Sequence, residues 1–287
     1  METLYQWLTK AQEEGFAIGA FNVANLETLK AIVGAAQKKQ SPVIIEASSG
    51  ESSFVGIRAL RYLIDAYKEE TGIPIFLNLD HAHEVNPVLE SIDVNFDLVH
   101  FDGSKLPYEE NLENLKQIVP YAKKYEVLVE GEMDHIQGSS ADHRQESVAE
   151  LLDESNYTDP QAAAKFVEET GIDILATFFG NVHGVYSTAP TLDIDRLKEI
   201  RDTVPCFLSM HGGSGIAGDD VRAAVEVGIA KVNVNSEMRI AFRESLEATL
   251  ASTDEIAVYK IMPPVIEAVQ KVVEDKIDLF GSAGKIS

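Results

Sequence analysis

The apolar residues of this chain fall into two rhythms that alternate from end to end. Short continuous runs at residues 16–23, 42–48, 74–80, 97–103, 126–133, 173–179, 205–210 and 230–234 have the length and content of buried strands. Between them lie stretches with apolar positions three and four apart, the spacing of an amphipathic helix. Residues 26–39 show it plainly, with Leu26, Leu29, Ile32, Val33 and Ala36 on one stripe. Helices are also predicted over 55–71, 107–124, 160–170, 192–204, 219–227, 237–250 and 258–279. Gly15 and Gly72 close helices, Asp159-Pro160 opens one, and Glu109 and Glu110 occupy a first turn, where the helix dipole favours them. An initial helix over 3–14 carries Leu4, Trp7, Leu8 and Ala11 on one face and is expected to plug one end of the fold.

Eight strands, nearly all followed by helices, predict an α/β protein: a single (β/α)8 barrel over residues 1–287 with an N-terminal helix and extra C-terminal helices. The length agrees, since such barrels take ~250 residues. The polar, serine-containing stretch at 134–155 is expected to be a mobile loop rather than a packed element. Hydrophobic residues make up 45% of the chain and charged residues 25%, enough apolar content for a sizeable core.

Charge narrows the choice of partners. A formal net charge of −23 argues against nucleic acid and against an anionic membrane, so a phosphorylated ligand would need a locally positive site. One cysteine, Cys206, excludes an intrachain disulfide and is expected to be a buried core thiol. The first residues lack a basic start and a long apolar core, and no apolar run approaches ~18 residues, so a cytoplasmic protein is expected.

His81, His183 and His211 follow the third, sixth and seventh strand runs, which places all three at the C-terminal face of a parallel barrel. Any one of them alone would read as a structural histidine. Three converging imidazoles with a fourth position open suit a catalytic zinc ion. Asp80 is a candidate acid–base group, or a partner that orients a ligand histidine. Its side chain cannot share a face with that of His81 while the strand continues; at a strand end the backbone bends, and both could reach the mouth. Glu132 is a candidate ligand or outer partner and lies on the same strand face as Glu130. His83, His135 and His143 are further ligand candidates in loops. For phosphate, Gly184, Gly212, Gly213, Ser214 and the strand end Asn233 to Ser236 stand where barrels hold such groups. Ser236 by itself would be an ordinary N-cap.

The motifs GAFNVANLETLKAIVGAA, SPVIIEASSG, LDHAH, FDGSKLPYEEN, VLVEGEM, YTDP, GNVHGVY, MHGGSG, KVNVNSEMR and FGSAGK resemble, in this order, the class II (metal-dependent) fructose-bisphosphate aldolases, a family that includes tagatose-bisphosphate aldolases. The resemblance implies Zn²⁺ on His81, His183 and His211, and Asp80 as the group that moves the C4 hydroxyl proton. It implies that Gly184, Gly212, Ser214, Asn233 and Ser236 hold the dihydroxyacetone phosphate half, with Asn22 and Ser48 near the cleaved bond. It further implies Arg239 on the distal phosphate, a monovalent cation (Na⁺ or K⁺) near the phosphate, and a homodimer or homotetramer. Arg239 and Asn235 favour fructose over tagatose bisphosphate.

The chain also departs from the family pattern. Ala82 and His83 follow His81, Ser187 stands where a basic residue is usual, and Gly138-Ser139-Ser140 replaces a loop with adjacent acids. Asp142 is the sequence's candidate for the displaced acid that moves the carbon-bound proton. Three alternatives remain: another phosphorylated ketose as substrate, a non-catalytic sugar-phosphate binder, and a zinc hydrolase suggested by His81-Ala82-His83.

Overall fold

The computed structural model describes residues 2–286. Helix α1 (Leu4–Glu14) begins at a capping box, in which Thr3 and Gln6 satisfy each other's backbone N–H groups, and stops at Gly15 with φ +68°. There follow β1 (Ile18–Asn22), α2 (Leu26–Lys39), β2 (Val43–Ser48), α3 (Ser49–Val55), α4 (Ile57–Thr71), β3 (Ile75–Ala82), α5 (Val85–Asp93), β4 (Leu98–Asp102), α6 (Tyr108–Lys123), β5 (Leu128–Glu132) and β6 (Gly138–His143). The second half holds α7 (Pro160–Thr170), β7 (Ile174–Ala176), β8 (His183–Tyr186), α8 (Ile194–Thr203), β9 (Phe207–Met210), α9 (Gly218–Val227) and β10 (Ile229–Val234). Three helices end the chain: α10 (Ser236–Ser252), α11 (Val258–Ile261) and α12 (Pro263–Leu279).

Eight of these strands close a parallel barrel in the order β1-β10-β9-β7-β5-β4-β3-β2, the (β/α)8 architecture that the pattern predicts. The period of two then sorts the inward side chains into layers. Lowest are Ile18, Ile44, Phe76, Leu98, Ile174 and Phe207, packed with Leu4, Trp7, Leu8 and Ala11 of α1, which plugs this end. Above them lie Glu46, Asn78, His100, Glu130, Ser209 and Lys231, all fully buried. The top layer includes Asn22, Asp80, Asp102, Glu132, His211 and Asn233, at the C-terminal ends of the strands.

The polar middle layer is held by one cation. Lys231 Nζ lies 2.9 Å from Glu130 Oε2 and 3.6 Å from Glu46 Oε2, and it donates to Asn233 Oδ1 at 2.5 Å. Burial with Asp80 and Glu130 nearby pushes the Glu46 carboxyl up to about 8, whereas Lys231 outweighs burial and holds Glu130 well below the usual carboxylate range. The working pair is therefore Lys231⁺–Glu130⁻.

Five points differ from expectation. Residues 138–143 form strand β6, which pairs in parallel with β8 outside the barrel, so this part of the expected loop is a packed element. The expected helix 55–71 is α4 alone; a separate short helix, α3, precedes it, and Gly56 at φ +93° divides the two. The expected helix 258–279 is divided at Met262, because Pro263 and Pro264 lack the N–H groups that would continue α11 and suit the first turn of α12 instead. Helix α5, with Val88 and Ile92 buried, was not predicted at all, its nine residues being too few to show a clear period. Cys206 is partly rather than fully buried, and burial pushes its thiol up to about 12, which leaves it unreactive.

Removing the cation should expose this dependence. Lys231→Met is expected to cost roughly 3–5 kcal/mol, because it leaves a buried carboxylate unpaired. The double variant with Glu130→Gln is expected to recover much of that loss. Urea unfolding of the single and double variants checks both expectations.

Candidate metal and phosphate site

Strand alternation points Asp80 into the barrel and would send His81 outward. The structure resolves this at a β-bulge. Between Leu79↔Val99 and Ala82↔Phe101, β3 spends one more residue than β4. His81 takes φ +46°, left-handed for a residue with a Cβ, and its ring turns back over the mouth beside Asp80, with Nε2 4.0 Å from Asp80 Oδ1.

His81 and His211 face each other. His81 Nε2 lies 2.9 Å from His211 Nδ1, so these two nitrogens share one proton where a metal cation could take its place. Each ring's other nitrogen is bound to a carboxylate: His81 Nδ1 to Asp102 Oδ2 at 2.9 Å and His211 Nε2 to Glu130 Oε1 at 2.8 Å. Imidazoles oriented from behind by carboxylates make strong metal ligands. The His183 ring closes a third side, its centroid 5.1 Å from that of His81 and 6.0 Å from that of His211. Burial, together with His81 and His211, pushes His183 down to about 3, so it is a neutral nitrogen donor. Asp80 and Asp102, working against burial, lift His81 to about 8.

Main-chain geometry fixes how these ligands meet. Gly212 adopts φ +65°, and a Cβ there would sit 2.2 Å from the Val182 carbonyl oxygen. Only glycine lets the loop after β9 lie directly on the segment that carries His183. That segment differs from expectation, since β7 ends at Ala176 and His183 opens β8.

Asp80 is held for its task. Asn22 Nδ2 donates to its Oδ2 at 3.1 Å and Asn233 Nδ2 to its Oδ1 at 3.2 Å. Although burial opposes ionisation, His81 and Lys231 help to hold the Asp80 carboxyl well below its ordinary range, so it stands as a carboxylate ready to accept a proton. A narrow hollow brings Asn22, Asp80, His81, His183, Gly184, His211, Gly212, Ser214, Asn233, Asn235 and Ser236 together with Ser140. Larger hollows lie between α4 and the segment leading into β4 and at the plugged end; in the first, the charges of Arg61, Asp65 and Asp97 are paired with one another.

Other expected residues sit just behind this wall. Ser48 caps α3 and donates to Glu51 Oε2 at 2.9 Å. Gly213 N donates to Asn233 O at 2.8 Å, stitching the two phosphate-side loops together. Glu132 is fully buried, with Oε1 accepting from Ile136 N at 3.3 Å. Arg239 reaches back to Glu51 Oε1 at 2.6 Å and to Ser140 O at 2.8 Å. His83 Nδ1 donates to the Asp102 carbonyl at 3.1 Å, and His135 lies beside Ser104, so neither joins the trio.

Asp142 does not line the hollow. Arg144 grips it at both oxygens, 2.9 and 2.8 Å away, and holds it down at about 2, which makes it a weak base. The neighbouring His143 does not line the hollow either and has both ring nitrogens engaged. It lies 3.0 Å from Ser139 Oγ through Nε2 and 2.9 Å from Glu146 Oε2 through Nδ1, and it stacks on Tyr186 against Gly184.

Sequence reasoning missed His100, Asp102, Glu51 and Lys276. The signal for the first two was present, because a period of two through 98–102 sends both inward on a strand that ends at the mouth. Lys276, whose Nζ donates to Gly213 O at 3.2 Å and meets Glu237 at 2.8 Å, comes from the last helix and had no local signal.

The fold and this arrangement of histidines over carboxylates define a (β/α)8 barrel whose mouth could hold a metal ion. A family model for class-II fructose-bisphosphate aldolase matches residues 2–285, and the chain belongs to that family. A fructose-bisphosphate aldolase from Streptococcus pneumoniae is 37% identical over 295 aligned residues, covering 98% of this chain and 97% of that protein. The crystal structure of the YdjI aldolase from Escherichia coli K12 superimposes with a TM-score of 0.85 at 28% identity, covering 100% of both chains. Fructose-bisphosphate aldolase from Campylobacter jejuni gives a TM-score of 0.80 at 25% identity, over 98% of this chain and 95% of that one. Among the described residues no helix is long and apolar enough to cross a membrane.

Asp134, beside the site, supplies a test of its electrostatics. Burial, with Glu132 and Asp159 nearby, lifts its carboxyl to about 6, and its Oδ2 has no partner. An unfolded aspartate titrates near ~3.9, so below that pH the group is neutral in both states and costs nothing. Above about 6 it is charged in both states, and the folded protein bears the whole penalty. Asp134→Asn should therefore stabilise the protein by roughly 1–2 kcal/mol at about pH 8 and leave it unchanged at about pH 3, as read by denaturant unfolding.

Proposed function

We propose that this chain is a zinc-dependent aldolase that reversibly cleaves fructose 1,6-bisphosphate to dihydroxyacetone phosphate and glyceraldehyde 3-phosphate in the cytoplasm. The observation that carries this reading is the facing pair His81–His211, each backed by a carboxylate, with His183 and ionised Asp80 at its side. His81, His183 and His211 would hold Zn²⁺, which when bound supplies Lewis-acid polarisation of the substrate ketone. Asp80 takes the C4 hydroxyl proton as the carbon–carbon bond breaks and returns it in condensation.

The first phosphate is received by main chain rather than by a fixed cation. Gly212, Ser214 and Gly184 line one side of the hollow, and Asn233, Asn235 and Ser236 line the other. Ser236 opens the 17-residue helix α10, whose first N–H groups favour an anion. A monovalent cation, Na⁺ or K⁺, near the same loops would add positive charge beside Lys276, which Glu237 already pairs. Arg239, tethered to Glu51 across the rim, is placed to meet the distal phosphate by exchanging one carboxylate for another anion. Leu250, Ile256, Val258 and Tyr259 stand exposed together in the C-terminal region, and a homodimer or homotetramer interface would cover them; sedimentation velocity reads that state directly.

A coupled cleavage assay tests the reading. Activity on fructose 1,6-bisphosphate should disappear with a chelator, return with Zn²⁺, and exceed that on tagatose 1,6-bisphosphate. Inactivity of the zinc-loaded protein on both sugars would favour the binding-only alternative. In the same preparations Asp142→Ala should leave hydrogen exchange at the substrate carbon nearly intact.

A further inference from the structure

His100 has no role in the chemistry described above, yet it lies at the centre of the site. It is fully buried in the polar layer of the barrel, and its ring centroid is 4.7 Å from that of His81 and 4.8 Å from that of His211. One imidazole thus floors both rings of the facing pair.

Its hydrogen bonds explain why a histidine is there. The bulge in β3 removes His81 from the strand ladder, and the left-handed turn swings its N–H into the barrel. A buried main-chain donor without an acceptor would cost ~1–3 kcal/mol. That N–H donates to His100 Nδ1 at 3.2 Å, so a side chain on β4 supplies the acceptor the ladder no longer offers. The opposite nitrogen, Nε2, points toward Glu132 Oε2 at 3.4 Å, two buried atoms with no other partner. With Nδ1 accepting, the ring's proton sits on Nε2 and faces the carboxylate.

We propose that His100 is a positioning residue of the metal centre: by accepting the His81 N–H it maintains the bulge that turns His81 into the mouth beside Asp80. Without that acceptor the left-handed conformation loses its support and His81 relaxes toward ordinary strand geometry, where its ring leaves the facing pair. The inference rests on the metal-centre reading above.

Two substitutions separate positioning from space-filling. Leucine is close to histidine in volume but has no acceptor; asparagine is smaller, but its Oδ1 can stand near the place of Nδ1. Positioning predicts that His100→Leu weakens Zn²⁺ binding by roughly 10–100-fold in competition with a chromogenic chelator, and that His100→Asn weakens it less. Space-filling predicts the reverse order. Equal affinity of His100→Leu and wild type would overturn the proposal, as would weaker binding by His100→Asn than by His100→Leu. If wild type itself failed to bind Zn²⁺, the metal-centre reading would fall first, so the two failures are distinct. Should either variant not fold, neutron diffraction of the zinc-loaded wild-type protein decides the matter. A bare Nδ1 facing the His81 N–H supports the proposal, and a proton on Nδ1 overturns it.

Discussion

The site depends on a charge that never reaches solvent. A barrel filled with hydrocarbon to its rim could not orient a metal ligand, because nothing beneath the ring would accept a hydrogen bond. Here Lys231 lies fully buried and permits Glu130 to remain ionised beside it. Glu130 accepts from His211 and from Ser209, so one oxygen of a buried carboxylate sets the ring of a proposed ligand. Glu46, lacking a cation of its own, is pushed toward the neutral form. The middle layer thus converts one ammonium into a directional anion directly below the chemistry, and the apolar plug under it keeps water from screening the arrangement.

The eight strands and their order were legible because each is a short apolar run that ends in polar residues. Asp80, His211, Asn233 and Ser236 could be placed by the same rule, since barrel function collects where strands stop. His183 obeyed it less well. The sixth strand ends early, and the histidine opens a separate strand that pairs with β6. No single-chain pattern announces such a pairing, because β6 is polar on both faces. Asp142 shows a limit of another kind: sequence proximity marks an acid but not its partner, and Arg144 two residues on claims it.

The adjacency of Asp80 and His81 carried most information and was hardest to interpret. Alternation forbids two neighbouring strand residues from serving one site, so the pair foretells a local break in the strand. Its form, one extra residue and a left-handed histidine, depends on an acceptor from the next strand over. Long-range compensation of this kind is written in two segments at once, at positions 81 and 100, and neither looks unusual alone.

The contact between Gly212 and the Val182 carbonyl has a consequence for how this protein can vary. It joins two loops through main chain alone, so replacing the side chains around it leaves the joint in place. The spacing of His183 and His211 is therefore insulated from substitution in their surroundings. Diversity can accumulate along β6 and the rim, while the distance between two histidines stays fixed by a single missing methyl group.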